Sequence, residues 1–178
     1  TPEKGTGIVG FGPRVPGKIK PIVLKKDQTF IAERDAFLCA EESVALDIKM
    51  VKAAAAIFGG EGIILQKLQG PGTVFINVLG DVIEYNLAKG QVLEVARGHV
   101  AGFESTVDYD VRYVGDIKTA VFGGAGLLLA KLTGPGTVYL QSMTKEKLIN
   151  ELGIATKTEA ARGRSQIKFG GTGITFGR

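Results

Sequence analysis

The segment Phe58–Val74 (FGGEGIILQKLQGPGTV) returns 64 positions later as Phe122–Val138 (FGGAGLLLAKLTGPGTV). Carried on to position 77 and its counterpart, 12 of 20 residues are identical. Backwards, the register continues with a shift of 63: Gln28, Arg34, Glu41, Val44, Asp47 and Val51 fall on Gln91, Arg97, Glu104, Val107, Asp110 and Val114. Self-similarity at a fixed spacing means that one supersecondary unit is built twice. The repeats run over 27–80 and 90–143, within a chain whose 178 residues suit one domain.

The repeated unit reads as β structure. Val107–Tyr113 alternates strictly, with Val107, Tyr109, Val111 and Tyr113 on one face and charges on the other. Its first copy, Val44–Met50, keeps the same phase. Ile63–Leu68 and Leu127–Leu132 are apolar runs of strand length, followed by Gly70-Pro71-Gly72 and Gly134-Pro135-Gly136. Proline presets φ at the second position of a turn and glycine accepts positive φ at the third, which predicts type II turns. Thr73–Val78 and Thr137–Gln141 then read as returning strands, making antiparallel hairpins. Gly7–Phe11, Lys18–Leu24, Thr29–Ala32, Val82–Leu87, Val92–Ala96 and Ala101–Glu104 complete the strand set. Glycine, at 26 residues, is about twice its usual share of roughly 7% and fits many tight turns. One helix is predicted, over 145–152, with Thr144 before it and Gly153 after it. A weak turn over 156–162 and a final strand over 170–178 lie in a basic tail, 153–178. The fold class is all-β: an antiparallel sandwich with an internal pseudo-twofold repeat and one short C-terminal helix.

Composition narrows the chemistry. One cysteine, Cys39, cannot close an internal disulfide, and one histidine, His99, leaves too few ligands for an ordinary zinc or non-haem iron site. Cys39 reads as a small core residue, and His99 as a turn residue after Arg97-Gly98. A nucleophilic cysteine would need a base, and His99 is the one imidazole available. The Phe-Gly-Gly-x-Gly segments lead into apolar strands rather than a helix N-terminus, so they read as turns, not phosphate cradles. No catalytic, metal or cofactor site is expected; no enzyme and no small-molecule substrate are implied. No run nears the ~20 apolar residues of a spanning helix, and the first residues do not form a signal-peptide pattern. The expected setting is the cytoplasm, or a mitochondrion if the source is eukaryotic.

Two residue sets remain. Asp47 and Lys49, with Asp108, Asp110 and Arg112 in the second copy, keep their charge signs on equivalent strands and form a candidate interface. Exposed pairs of this kind are worth under ~1 kcal/mol as surface contacts. The net charge is +4, concentrated in an early cluster (Arg14, Lys18, Lys20, Lys25, Lys26) and in the tail. There Arg162, Arg164 and Lys168 are the candidate contacts to nucleic acid or anionic lipid. With only Phe169 and Phe176 nearby to stack on bases, nucleic acid is not the favoured partner.

Gly98–Val111, Phe122–Leu127 and Leu132–Ser142 closely resemble the altered-inheritance-of-mitochondria family, over about Gly5 to Leu152. The resemblance implies a fold like that of the tryptophan RNA-binding attenuation protein, a tendency to self-associate and no established enzymatic activity. It links mitochondrial members to inner-membrane organisation. Fold alone does not carry the namesake's RNA binding. Family chains have sheet-forming sequence ahead of this start, so an open edge is expected, filled by the C-terminal strand or a neighbouring subunit. The expectation is therefore a homo-oligomeric scaffold or adaptor, with a protein partner or a membrane surface as its target.

Overall fold

The computed structural model describes residues 7–51, 63–114 and 127–153. The first repeat, with the strand ahead of it, forms β1 (Gly17–Leu24), β2 (Thr29–Glu33), β3 (Phe37–Ala40), β4 (Ala45–Val51), β5 (Ile63–Gln69) and β6 (Gly72–Leu79). The second forms β7 (Val82–Leu87), β8 (Val92–Ala96), β9 (Val100–Glu104), β10 (Asp108–Val114), β11 (Leu127–Thr133) and β12 (Gly136–Gln141). A 3-10 turn, Arg97–His99, separates β8 from β9, and helix α1 spans Lys145–Glu151. All the strands belong to one compact unit ending at Thr144, while α1 lies in a second that begins at Lys145.

Each repeat makes the same pairings, all antiparallel. In the first, β6 lies between β1 and β3, and β5 lies between β4 and β2. In the second, β12 lies between β7 and β9, and β11 lies between β10 and β8. One further pairing, β2 with β9, joins the halves and makes a six-stranded sheet ordered β4-β5-β2-β9-β12-β7. The three-stranded sheets β1-β6-β3 and β10-β11-β8 stay separate.

Alternation along the strands sends successive side chains to opposite faces. Phe30, Ala32 and Leu68, on one face of the long sheet, share a core with Ile22, Leu24, Val74, Ile76 and Val78 from β1 and β6. Ile31, Ile63, Leu65, Phe103 and Val138, on the other face, share a second core with Val111, Ala130 and Leu132. The long sheet is the middle layer of three, with apolar residues on both faces, which is why β5 within it reads as a nearly continuous apolar run.

The residues retained across the repeats hold equivalent turns. The Glu41 carboxylate accepts the Thr73 N–H and the Glu104 carboxylate accepts the Thr137 N–H, both at 2.9 Å. Gly70 N–H donates to the Gln28 carbonyl and Gly134 N–H to the Gln91 carbonyl, again at 2.9 Å. Gly72 and Gly136 sit at φ 136° and 139°, a region other residues avoid.

Several expectations are corrected. The Gly-Pro-Gly turns are not type II, because the Gly70–Pro71 and Gly134–Pro135 bonds are cis. Nor do they close hairpins: β5 and β6 lie in different sheets, as do β11 and β12, so each turn carries the chain between layers. Gly7–Phe11 forms no strand, and its Ile8, Val9 and Phe11 side chains are exposed. The sequence reading also missed β3. Residue 152 lies just beyond the end of α1. The Phe-Gly-Gly-x-Gly segments, the turn at 156–162 and the strand at 170–178 lie outside the described residues.

Candidate functional site

The charged candidates fall into two groups. Asp47 and Lys49 project from β4, at one end of the long sheet, whereas Asp108, Asp110 and Arg112 lie on β10, at the end of a separate sheet. Each aspartate in the repeated pair turns back on its own strand: Asp47 accepts the Ile48 N–H at 2.7 Å and Asp110 accepts the Val111 N–H at 2.8 Å. Arg112 pairs with Glu94 of β8 at 2.6 Å rather than with an aspartate. Arg162, Arg164 and Lys168 lie outside the described residues. Of the early basic cluster, Lys18 pairs with Asp81 at 2.8 Å and Lys20 with Glu84 at 2.5 Å. Lys18 holds the Asp81 carboxyl below its ordinary pKa, and the Glu84 hydrogen bond raises that of Lys20.

Cys39 is half-buried on β3. His99 ends the 3-10 turn, where Nδ1 carries the proton and donates to the Gln141 carbonyl at 2.7 Å. The Gln141 side chain donates to the Gly98 carbonyl at 2.7 Å and accepts the Leu79 N–H at 2.9 Å. This network locks a turn. Among the described residues no cluster of three or more His, Cys, Asp or Glu side chains is placed to hold a metal ion. No described helix is long and apolar enough to cross a membrane.

Two features were missed in the sequence reading. The first is a polar cluster across the joint between repeats. Arg97, from the turn before β9, reaches Glu33 at the end of β2 at 2.6 Å; Arg97 is partly buried and Glu33 more so. Tyr109 of β10 lies near them, stacked on Phe103 with ring centroids 5.0 Å apart. Burial pushes the Tyr109 hydroxyl up to about 12, against a downward pull from Arg97. No group meets that hydroxyl, or the Arg97 Nε, at hydrogen-bond geometry. The sequence signal was half present: Arg97 aligns with Arg34, but Glu33 aligns with Ala96. The ion pair clasps the end of β2 to the turn before β9, across the joint between the repeats.

The second feature is an uncovered apolar strip. Leu46 and Ile48 of β4 and Ile64 of β5 share the face that carries buried Leu68, yet they are 50%, 62% and 36% exposed. Their counterparts in the second repeat are Tyr109, Val111 and Leu128. Val111 is 5% exposed, and Tyr109 and Leu128 pack against the same core. Two differences account for the contrast. Phe103, which covers Tyr109, is replaced by Ala40 in the first repeat. In addition, the sheet continues beyond β9 through β2 and then β5, which bring Ile31, Ile63 and Leu65 onto that core, whereas β3 ends its sheet. The strip therefore adjoins an open strand edge. Among the described strands β8 likewise ends its sheet, β10-β11-β8.

The family model for mitochondrial biogenesis AIM24 matches residues 1–143. The chain belongs to this family. No curated protein matches its sequence. Among solved structures, the fold is similar to that of a Streptococcus pyogenes protein determined by X-ray crystallography, with a TM-score of 0.65 and 23% identity. The similarity covers 79% of this chain and 61% of the streptococcal one, so the chain spans less than two thirds of that protein's length. At this identity the likeness is one of fold. The AIM24 match covers both repeats, and so the whole layered body in which the strip and the open edges occur.

Proposed function

We propose that this AIM24-family chain works by association: it is a non-enzymatic, self-associating β scaffold whose working parts are sheet edges and apolar surface. The observation that carries the reading is the strip Leu46–Ile48–Ile64, open to water where the second repeat covers the same positions. Large apolar side chains grouped beside an unpaired strand mark contact surfaces. The dispersed charged residues fit the same reading as rim contacts, which set orientation more than affinity. The family description names mitochondrial biogenesis, and in this reading the partner the scaffold organises is a protein or a membrane surface.

The test is a mass measurement of the purified chain by light scattering at low and high salt, with co-purifying nucleic acid and lipid assayed in the same sample. Apolar and backbone association keeps a multimeric mass as salt rises. A single-chain mass under every condition sinks the reading. Loss of a bound anionic polymer with rising salt, at a slope of about one ion per phosphate contact, would replace it with binding through the basic residues.

A further inference from the structure

The joint between the two repeats exists once, although its parts exist twice. Strand β2 pairs with β9 with Phe30 opposite Glu104, Ile31 opposite Phe103 and Ala32 opposite Gly102. The repeat relation carries β2 onto β8 and β9 onto β3, and each of these two strands ends one of the short sheets, with a free edge among the described residues. The halves are thus joined head to tail: one half offers its β2 edge, the other accepts it at β9, and a β8 edge and a β3 acceptor remain. Resting on the association proposed above, we propose that the β8 edge of one copy pairs antiparallel with β3 of a second copy, rebuilding between chains the joint that β2 and β9 make within one.

Moved by 63 positions, the register sets Leu93 opposite Glu41, Glu94 opposite Ala40 and Val95 opposite Cys39. The backbone is prepared for it. Gly134 N–H bonds the Gln91 carbonyl at 2.9 Å and β8 continues in register with β11, so the residues bonded to β11 are Gln91, Leu93 and Val95. Antiparallel alternation then turns the N–H and C=O of Glu94 away from β11, toward the free edge. Within the chain, Ser105 N–H reaches the Thr29 carbonyl at 3.0 Å, which puts Ile31 in the same outward phase. A side chain at Gly102 would strike the Phe30 ring. At the equivalent pair the ring is replaced by the smaller Leu93 and the glycine by Cys39, a compensating exchange.

The incoming sheet also covers the strip. In the cis joint, Ile31, Ile63 and Leu65 cover Val111. In the trans joint, Leu129 takes the place of Leu65 over Ile48, but Glu94 takes the place of Ile31 and stays paired with Arg112. The joint between chains is therefore less apolar than the joint within the chain, and it dissociates on dilution. Because β8 and β3 are different surfaces, the contact is heterologous, and repetition gives a ring or an open filament.

Two variants of the full chain test the pairing. Val95→Cys places a thiol beside the native Cys39 of the neighbour, in a non-hydrogen-bonded pair suited to a disulfide. Under mild oxidation, non-reducing electrophoresis is expected to show a ladder of linked chains, lost when Cys39→Ser is added. Glu94→Pro removes one N–H from the free edge without touching the β11 ladder; it also gives up the exposed Arg112 pair, and is expected to lower the mass to a single chain while the dilute chain keeps a cooperative melt close to that of dilute wild type. If wild type assembles but Val95→Cys forms no linkage, or Glu94→Pro keeps its full mass, this pairing is wrong while the association reading stands. Should wild type have a single-chain mass at every concentration, both fall. If truncation after Gly153 converts a monomer into a multimer, the chain's own tail occupies the edge, and the pairing between copies is overturned for the intact protein.

Discussion

Ile48 and Val111 hold the same place in two copies of one strand, yet the first is 62% exposed and the second 5%. The strands around them pair alike, turn alike and keep the same phase. What differs is reach: the sheet facing β10 is prolonged by β2 and β5, while the sheet facing β4 stops at β3. Burial here is decided by how far the facing layer extends, more than by the residue or its strand. A duplicated unit can thus use one copy as core and leave the other as contact surface.

Acid placed at the two equivalent sites would separate them most sharply. Val111→Asp buries a charge in the second core and costs several kcal/mol, a large part of the ~5–15 kcal/mol that holds a domain folded; thermal melting is expected to show loss of the cooperative transition. Ile48→Asp leaves the melting of the dilute chain within about 0.5 kcal/mol of wild type, and lowers the multimer fraction in light scattering. Equal losses at both sites would show that the strip is covered in solution by the chain itself.

The next effect depends on pH. Tyr109 titrates at about 12 in the folded chain against an ordinary 10.0. Between those values the unfolded chain has lost the proton that the folded chain keeps, so stability falls as pH rises from about 10 to about 12. At ~1.4 kcal/mol per pKa unit the fall amounts to about 2–3 kcal/mol. Tyr109→Phe is expected to flatten that part of the profile in denaturant melts at pH 9 to 12. Its counterpart Leu46 carries no such group, so the titration belongs to the covered repeat alone.

Smaller still is the contrast between the two aligned arginines. Arg97→Ala leaves the largely buried Glu33 carboxylate without its partner and is expected to cost about 1–3 kcal/mol. Arg34, which lies 3.7 Å from Asp35 and is well exposed, should lose no more than about 0.5 kcal/mol on the same change. Similar losses in chemical denaturation would deny the clasp its part in joining the halves.

Much of this architecture was legible in the residues. The repeat fixed the order of strands, because Val107–Tyr113 and Val44–Met50 alternate in one phase and Glu41 and Glu104 recur where a turn needs an acceptor. Layer membership was not legible. A Gly-Pro-Gly turn looks the same whether the strands beside it pair or part, so β5 and β6 passed for a hairpin. Gly7–Phe11 has the composition of a strand, but no described strand pairs with it. The run Phe37–Ala40 lacks alternation, and β3 is a strand only because β6 lies beside it. The candidate surface shared that limit: Leu46 and Ile48 look like core residues by spacing, and only the end of the facing sheet exposes them.

In each half the first strand is zipped to the last, with Gly17 beside Leu79 and Val82 beside Gln141. The ends of either half therefore meet at one margin, and only Gly80 and Asp81 lie between β6 and β7. Cutting the peptide there would sever no strand, so the β2–β9 ladder and the shared core, not the short covalent link, hold the halves together. Swapping their order, or supplying them as separate pieces, alters covalent connectivity while leaving every ladder available.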